Sequence, residues 1–154
     1  LSDLSIKELP NGKLVYLNNS EEYLPLFKSM EPEAYILPVT GKGLWSTLMG
    51  YLAVESDFNT VKGITFYKHA ETAGLGGEIE KEWFQNNFVG KKIKNSLGEF
   101  VGITVLKGRA EKNQINSVDG ISGATITSNG VTDLLKRDIY RFVPFFQKEM
   151  DRIR

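Results

Sequence analysis

The stretch GLWSTLMGYLAVE at residues 43–55, with TVKGITFYKH at residues 60–69 directly after it, decides the fold. Both are rich in the aromatic and β-branched residues that strands favour, and the polar segment SDFN at residues 56–59 separates them. Two antiparallel strands joined by a short loop have this pattern. The sequence therefore predicts a β-hairpin in the middle of the chain.

Upstream of the hairpin the strand signals are weaker. GKLVYL at residues 12–17 follows the turn residues PNG at 10–12 and predicts a short strand whose partner the sequence does not identify. AYILPV at residues 34–39 is extended and stops at the Thr-Gly-Lys-Gly sequence that follows it. Between them, SEEYLPLFKS at residues 20–29 predicts a weak helical turn interrupted by Pro25.

Downstream, EIEKEWFQNNF at residues 78–88 opens with acidic residues and places Ile79, Trp83 and Phe84 at helical spacing. This pattern predicts a short amphipathic helix that ends before Gly90.

The last third of the chain predicts one more strand and one long helix. FVGITVLKG at residues 100–108 alternates like a strand, with KKIK at residues 91–94 as its neighbour across Gly98. From Asn129 onward, apolar residues recur near a 3.6-residue period, which predicts a C-terminal helix that Pro144 kinks or interrupts. The periodic residues are Leu134, Leu135, Ile139, Phe142, Phe146, Met150 and Ile153.

This order of elements favours a single α+β domain with a mainly antiparallel sheet, a short helix and a long C-terminal helix. A Rossmann fold is disfavoured, because neither G-x-G-x-x-G after a strand nor G-x-x-x-x-G-K-[ST] is present.

The amino-acid composition excludes several classes of function and of metal site. Nineteen basic and nineteen acidic residues give the 154-residue chain no net charge, which disfavours nucleic-acid binding. The absence of cysteine and the single histidine exclude thiolate metal sites, iron–sulfur clusters and multi-histidine metal sites. The uncharged run at residues 43–54 is too short to span a bilayer. Demanding chemistry therefore requires a cofactor.

The segment DGISGATITS at residues 119–128 carries four hydroxyl side chains among small residues, directly before the long helix. The helix N-terminus offers free N–H groups and a positive dipole end, so a phosphorylated ligand fits there. The alternative is structural: Ser122, Thr127, Ser128 and Asn129 cap the helix and form its entry turn. A serine hydrolase is disfavoured, because the G-x-S-x-G elbow is absent and His69 is the one available base.

Two further segments are candidates for binding a flat ligand. In the glycine-rich loop HAETAGLGGE at residues 69–78, Leu75 is either an apolar surface for a ring or an ordinary core leucine. His69 lies in the same loop. Its structural interpretation is a loop residue that makes one hydrogen bond. Trp45 either stacks on an aromatic ligand or belongs to the core.

Three of these segments together, GLWSTLMGYLAVE, HAETAGLGGEIEKEWFQNNFVGKKI and DGISGATITSNGV, resemble the C subunit of the Na+-translocating NADH:quinone oxidoreductases. The resemblance covers roughly residues 35–150. It includes the SGAT signature of the FMN-binding domain family, which the G subunit of the related ferredoxin:NAD+ oxidoreductase shares. Three motifs in register are more specific than one.

The resemblance implies that FMN is linked through its phosphate to a threonine, by a flavin transferase that uses FAD and Mg2+ and recognises D-x-x-[ST]-G-A-T. Thr125 is then the acceptor, and Thr127 is the alternative. The other motif residues, which shape the backbone around the phosphate, are Asp119, Ser122, Gly123 and Ala124.

The family loop E-T-P-G-L-G is Glu71 to Gly76 here, with Ala73 in place of the proline. By resemblance, Glu71, Thr72 and Leu75 lie along the isoalloxazine ring with Gly76 beside them and Trp45 near it. The missing proline predicts a less rigid loop. No metal ligands and no residues with a separate catalytic role are expected.

The resemblance also implies the setting. Members of the family have an N-terminal membrane helix that this sequence does not contain, and the chain starts at Leu1 without an initiator methionine or signal peptide, as a fragment would. We expect a single soluble FMN-binding domain over residues 1–154, monomeric in isolation, on the outer face of a bacterial cytoplasmic membrane. Its partners are the other subunits of the redox pump, and it completes no catalytic cycle alone. The alternatives are the G subunit of the related oxidoreductase, another extracytoplasmic covalent-flavin carrier, or a flavin-free binding module.

Overall fold

A long helix packs across one face of an antiparallel sheet in this computed structural model, which describes residues 6–8, 13–17 and 23–153, with side chains for residues 24–153. The elements in chain order are β1 Ile6–Glu8, β2 Lys13–Leu17, β3 Tyr23–Met30, β4 Glu33–Lys42, β5 Thr47–Val54, β6 Val61–Lys68, a 3-10 helix Gly76–Glu80, α1 Glu82–Asn86, β7 Thr104–Val105, β8 Ser117–Val118 and α2 Thr125–Ile153. The α+β fold with a short helix and a long C-terminal helix is confirmed.

Strands β1 to β6 form a meander in which each strand pairs antiparallel with the next. In β5, Leu48, Gly50, Leu52 and Val54 face the core while the alternate residues are partly exposed, as a strand covered on one face requires. The predicted β5–β6 hairpin is therefore confirmed. β2 pairs with both β1 and β3, which supplies the partner that the sequence left open. The turn predicted at residues 10–12 lies outside the described residues.

The loop between β5 and β6 is more than a polar turn. Phe58 has a positive φ of 54° and is completely buried. Its ring lies 4.7 Å from that of Tyr35 and 5.2 Å from that of Phe146, measured between centroids. The SDFN segment thus contributes an aromatic side chain to the core between sheet and helix.

The prediction of a helical turn at residues 20–29 is wrong over the described part of that segment. Leu24 and Leu26 both point into the core with 3% and 0% exposure, so the period is two and the segment is strand β3. Pro25 pairs in register with Val15. One missing N–H in the ladder costs less than the burial that the strand gains. The extended segment predicted at 34–39 is confirmed, but β4 continues through Lys42.

Helix α2 begins at Thr125, four residues before the predicted start, and continues through Pro144. Proline removes one hydrogen bond and crowds the preceding turn, but Phe142, Phe145 and Phe146 around it are buried to 2% exposure or less. Their burial holds the helix together, so the predicted interruption is wrong. α2 packs mainly on β4 and also on β7.

The segment between the sheet and α2 has little regular structure. Instead of one helix over 78–88 there are a short 3-10 helix and the five-residue α1, in which Phe84 is buried and Trp83 is 46% exposed. The strand predicted at 100–108 is reduced to β7, which pairs in parallel with β8, and the expected pairing with 91–94 is a single bridge from Lys94 to Phe100. None of the described helices has the length and hydropathy needed to cross a lipid bilayer.

Candidate functional site

The N-terminus of α2 presents Thr125 to solvent. The first hydrogen bond of the helix runs from the Ser128 N–H to the Ala124 carbonyl at 3.0 Å, so the N–H groups of residues 125–127 have no partner within the helix. Gly123, with a φ of +74°, turns the chain immediately before this point, a conformation that a side chain would strain. The site therefore combines an exposed hydroxyl with free N–H groups and the positive end of a 29-residue helix.

Thr127, two residues later, has a different environment. Only 2% of it is exposed, and its hydroxyl donates a 2.8 Å hydrogen bond to Glu71. Thr125 and Thr127 are both in the first turn of α2, but one faces outward and the other inward. The second, third and fourth of the proposed capping residues, Thr127, Ser128 and Asn129, lie inside the helix, so the capping interpretation is wrong for them.

The Glu71 carboxylate ties three segments together. It accepts hydrogen bonds from the N–H groups of Leu44 at 2.6 Å and Trp45 at 2.9 Å, from the Ser46 hydroxyl at 2.9 Å and from Thr127. We call this arrangement the Glu71 clasp. It joins the turn before β5, the glycine-rich loop and the start of α2, which are the three segments that the sequence singled out.

The clasp sets the ionisation of Glu71. Burial on its own raises the pKa of this carboxyl, but the hydrogen bonds from Thr127, Trp45, Leu44 and Ser46 favour the charged form and together hold the pKa below its ordinary value. Glu71 is only 8% exposed. Its carboxylate is thus a fixed negative charge behind the site.

Two glycines make room for the clasp. A Cβ on Gly43 would stand 2.2 Å from Glu71 Oε1, and one on Gly76 would stand 2.4 Å from the Thr127 hydroxyl oxygen. Any side chain at either position would push the carboxylate off its donors.

The loop from Thr72 to Leu75 is a tight turn. The Leu75 N–H donates to the Thr72 carbonyl at 3.0 Å, and Gly74 at the third position has a φ of +77°. These are the features of a type II turn, which favours proline at its second position. Ala73 occupies that position, so the turn forms here without a proline.

An apolar pocket of about 430 Å³ lies on one side of Thr125. Its described lining contains no charged side chain and consists of Leu44, Trp45, Thr72, Leu75, Gly76 and residues 123–127. Trp45 is 71% exposed and Leu75 is 43% exposed, so the interpretation of each as a core residue is wrong. Such exposed apolar surfaces inside a concave site suit a flat aromatic ring.

A polar pocket of about 620 Å³ lies on the other side. Gly123 and Thr125 border both pockets. The lining of this polar pocket carries charged, hydroxyl or amide side chains at many positions: Glu78, Lys107, Arg109, Asp119, Ser122, Thr125, Ser128 and Asn129. Trp83 and Ile121 are among its apolar members.

The SGAT segment is held in place from the polar side. Asp119 Oδ1 accepts the Ala110 N–H at 2.7 Å, and the Gly120 N–H donates to the Gly108 carbonyl at 2.8 Å. These bonds extend the β7–β8 pairing to the start of the motif. Asp119 therefore fixes the loop that leads to Thr125.

The structure brings the predicted site residues together, with one change of role. Glu71, expected along a bound ring, lines neither pocket and instead supports both the Trp45 turn and α2. The remaining predicted residues line one pocket or both: Trp45, Thr72, Leu75, Gly76, Asp119, Ser122, Gly123, Ala124, Thr125 and Thr127.

Sequence reasoning missed Trp83, Lys107 and Arg109. Trp83 has helical spacing with Ile79, which predicts an inward side chain, but the break between the 3-10 helix and α1 turns it outward. The two cations reach the site because β7 pairs with β8 further along the chain, and no local pattern signals this pairing.

Both ring nitrogens of His69, the first residue of the glycine-rich loop, make hydrogen bonds. Its Nδ1 accepts the Glu71 N–H at 3.1 Å, which leaves Nε2 to donate to Glu80 at 2.8 Å. It makes two hydrogen bonds where one was expected, and it lines neither pocket. No described feature supports it as a hydrolytic base.

The comparison with known families agrees with this geometry. Residues 43–139, which contain the Glu71 clasp and all residues of the SGAT segment, match the FMN-binding domain family. The chain belongs to the FMN-binding domain family. The C subunit of the Na(+)-translocating NADH-quinone reductase from Vibrio anguillarum is 47% identical over 144 residues, 92% of this chain and 52% of that protein. The corresponding protein from Vibrio alginolyticus is 44% identical over 126 residues, 82% and 46% of the two chains.

Two solved structures have folds similar to that of this FMN-binding domain. A crystal structure of the C subunit of the Na(+)-translocating NADH-quinone reductase from Parabacteroides distasonis matches with a TM-score of 0.74 and 43% identity, covering 82% of this chain and 64% of that one. The crystal structure of Shewanella oneidensis NqrC matches with a TM-score of 0.72 and 28% identity, covering 95% and 69%. The chain spans about half the length of the two Vibrio relatives.

Proposed function

We propose that this FMN-binding domain carries its FMN by a phosphoester bond to Thr125 and works as an electron carrier. The observation that supports Thr125 is its position: it is exposed, it lines both pockets, and it lies at the positive end of α2. Thr127, the other threonine of the motif, is buried and holds the Glu71 clasp. A transferase can reach the first hydroxyl but would have to unfold the start of α2 to reach the second.

Attachment is a phosphoryl transfer. In the reaction implied by the family resemblance, the Thr125 oxygen forms a bond to the flavin-side phosphorus of FAD and the bond from that phosphorus to the AMP oxygen breaks. AMP leaves, and the hydroxyl proton is released. The free N–H groups at the start of α2 favour the resulting phosphoester anion. The transferase supplies FAD and Mg2+.

The residues present fit FMN. Trp45 and Leu75 offer exposed apolar surfaces that would hold the ring, and Thr72 adds a hydroxyl to the lining of the same pocket. The Glu71 clasp keeps the Trp45 turn at a fixed position relative to Thr125. When bound, the flavin supplies one- and two-electron transfer, chemistry that a chain with one histidine and no cysteine lacks. The protein holds and orients the ring.

At the level of the assembly, we propose that residues 1–154 are a single FMN-binding domain from the C subunit of a Na+-pumping NADH:quinone reductase. The whole-protein names of the relatives support this. The domain then lies on the outer face of a bacterial cytoplasmic membrane, attached by an N-terminal anchor, and exchanges electrons with the other subunits. Ion movement takes place in those subunits. The G subunit of the ferredoxin:NAD+ oxidoreductase is the alternative, with the same attachment chemistry and different partners.

Co-production with a flavin transferase tests the attachment. The denatured wild-type chain is expected to gain the mass of FMN less one water, mapped to Thr125. Thr125→Ser keeps the hydroxyl and serves as the matched control for Thr125→Val, which is expected to remain unmodified with an unchanged circular dichroism spectrum. An unmodified wild type beside a verified active transferase would overturn the proposal.

A further inference from the structure

The outer face of the sheet, opposite the face that α2 covers, carries apolar side chains. In the middle of β3 to β6, the residues that alternate with the core positions are uncharged. A sheet that faces water on one side normally has polar residues at these positions. We define six of them as the outer patch: Phe27, Ile36, Pro38, Met49, Tyr51 and Tyr67.

The aromatic rings of the outer patch pack against one another across the strands. The rings of Tyr51 on β5 and Tyr67 on β6 are stacked, with centroids 5.3 Å apart and planes at 24°. Phe27 on β3 meets the Tyr51 ring edge-on at 6.4 Å. Pro38 on β4 lies directly opposite Tyr51 in the register, so the patch is continuous from β3 to β6. A continuous apolar surface of this kind marks an interaction site.

The sequences of the central strands indicate a sheet covered on both faces. Residues 34–39 read AYILPV and residues 48–54 read LMGYLAV, with no charged residue and no Ser, Thr, Asn or Gln. Strands buried on both faces have such runs, whereas strands with one face in water alternate apolar and polar residues. Both described α-helices pack on the core face, where Phe84 of α1 and the apolar residues of α2 join the core cluster. The layer that would cover the outer patch is therefore not among the described helices.

The relatives of this domain contain enough further chain to form that layer. The match covers 64% of the crystallised chain from Parabacteroides distasonis and 69% of that from Shewanella oneidensis, so about a third of each lies outside it. The outer patch has no charge with which to select a charged partner. A contact that stays apolar across four strands is typical of a permanent interface rather than of one that opens and closes.

We propose that the outer patch is an interface inside the C subunit, covered by the part of that subunit that lies outside this domain. The sheet is then the middle of three layers, with α2 on one side and this further chain on the other. The inference rests on the proposed function only in assigning the chain to a C subunit, and it does not depend on FMN attachment to Thr125.

Cysteine labelling tests the cover, because the chain has no cysteine of its own. Thr65 on β6 lies opposite Tyr51 and is exposed, so Thr65→Cys places a thiol at the outer patch without disturbing the core. Tyr140→Cys on the outward side of α2, where Tyr140 is 73% exposed, is the matched control. The rate of maleimide labelling is measured for each variant in residues 1–154 and in the whole C subunit, with the labelled cysteine mapped by fragment mass.

We expect Thr65→Cys to label at least about 10-fold more slowly in the whole subunit than in residues 1–154, because the thiol reacts only when the layers separate. The two rates for Tyr140→Cys are expected to lie within about 2-fold of each other. Adding Tyr67→Lys to Thr65→Cys puts a charge under the cover, so it is expected to restore at least about half of the labelling rate in the whole subunit. Tyr67 is 56% exposed in the domain, so this variant keeps the fold of residues 1–154.

Equal labelling rates at Thr65→Cys in the two chains would overturn the proposal, as would equal slowing at Thr65→Cys and Tyr140→Cys. Slow labelling in residues 1–154 that depends on protein concentration would overturn it in favour of a second copy. Protection that appears only in the assembled pump would overturn it in favour of another subunit. The mass of FMN on Thr125 is read independently, so a failed interface leaves the attachment standing, and a failed attachment leaves the interface standing.

Discussion

Glu71→Gln replaces one oxygen of the clasp with an amide nitrogen and removes the buried charge. In wild type, each carboxylate oxygen accepts one backbone N–H and one hydroxyl: Leu44 and Thr127 on Oε1, Trp45 and Ser46 on Oε2. Either orientation of the glutamine amide places its NH2 against one of the two backbone N–H groups. The hydroxyl beside it can rotate, but the N–H cannot.

The hydrogen bonds lost in Glu71→Gln determine the expected loss of stability. One N–H is left without an acceptor beside a residue, Glu71, that is 8% exposed, and the two remaining bonds lose the benefit of a charged acceptor. Together these changes are expected to lower the free energy of unfolding by about 2–4 kcal/mol. In a domain of this size, that loss lowers the melting temperature by roughly 5–15 °C.

Thermal and urea unfolding at pH 7 measure the effect, with Glu80→Gln as the control, because the Glu80 side chain is half-exposed and pairs only with His69 and Lys81 among the described residues. The pH dependence gives a second check. The pKa of folded Glu71 lies below its ordinary value of about 4.5, so its contribution is complete above that value and disappears as the pH falls through the lowered pKa. The difference between wild type and Glu71→Gln should therefore be constant near neutrality and shrink in acid. A variant that melts within about 1 °C of wild type, with parallel pH profiles, would refute the clasp.

Two further substitutions probe the supports of the site. Asp138 is 2% exposed on α2 and accepts the Thr40 N–H of β4 at 2.8 Å. Asp138→Asn keeps one oxygen for this N–H but places its NH2 against Arg137, so we expect it to cost about 1–3 kcal/mol in urea unfolding. An unchanged midpoint would show that the charge of Asp138 does not stabilise the domain. Ala73→Pro fits the second position of the type II turn and is expected to add about 0.4–1 kcal/mol of stability. The measurement is the melting temperature, which should rise. A lower melting temperature would show that the turn type is assigned wrongly.

Local periodicity made the central hairpin and the C-terminal helix predictable. The residues of β5 alternate between core and solvent, and α2 buries the predicted residues from Leu134 to Phe146. β3 was missed because Pro25 suggested a broken helix, although Leu24 and Leu26 already alternate around it. The alternation, and not the proline, determines the structure there.

The site was predictable as a set of segments but not as a set of contacts. Nothing local in the sequence shows that Glu71 bonds Thr127, 56 residues away, or that the short β7–β8 pairing brings Arg109 to the same pocket as Thr125. The distinction between Thr125 and Thr127 likewise requires the orientation of the first turn of α2. These features depend on tertiary packing, which a pattern of residue types does not encode directly.

Intact mass after co-production with a flavin transferase is the most direct test of covalent attachment at Thr125. We expect wild type to gain the mass of FMN less one water on Thr125 and Thr125→Val to gain nothing while remaining folded. Attachment that persists in Thr125→Val, on the buried Thr127 or elsewhere, would show that Thr125 is not the acceptor.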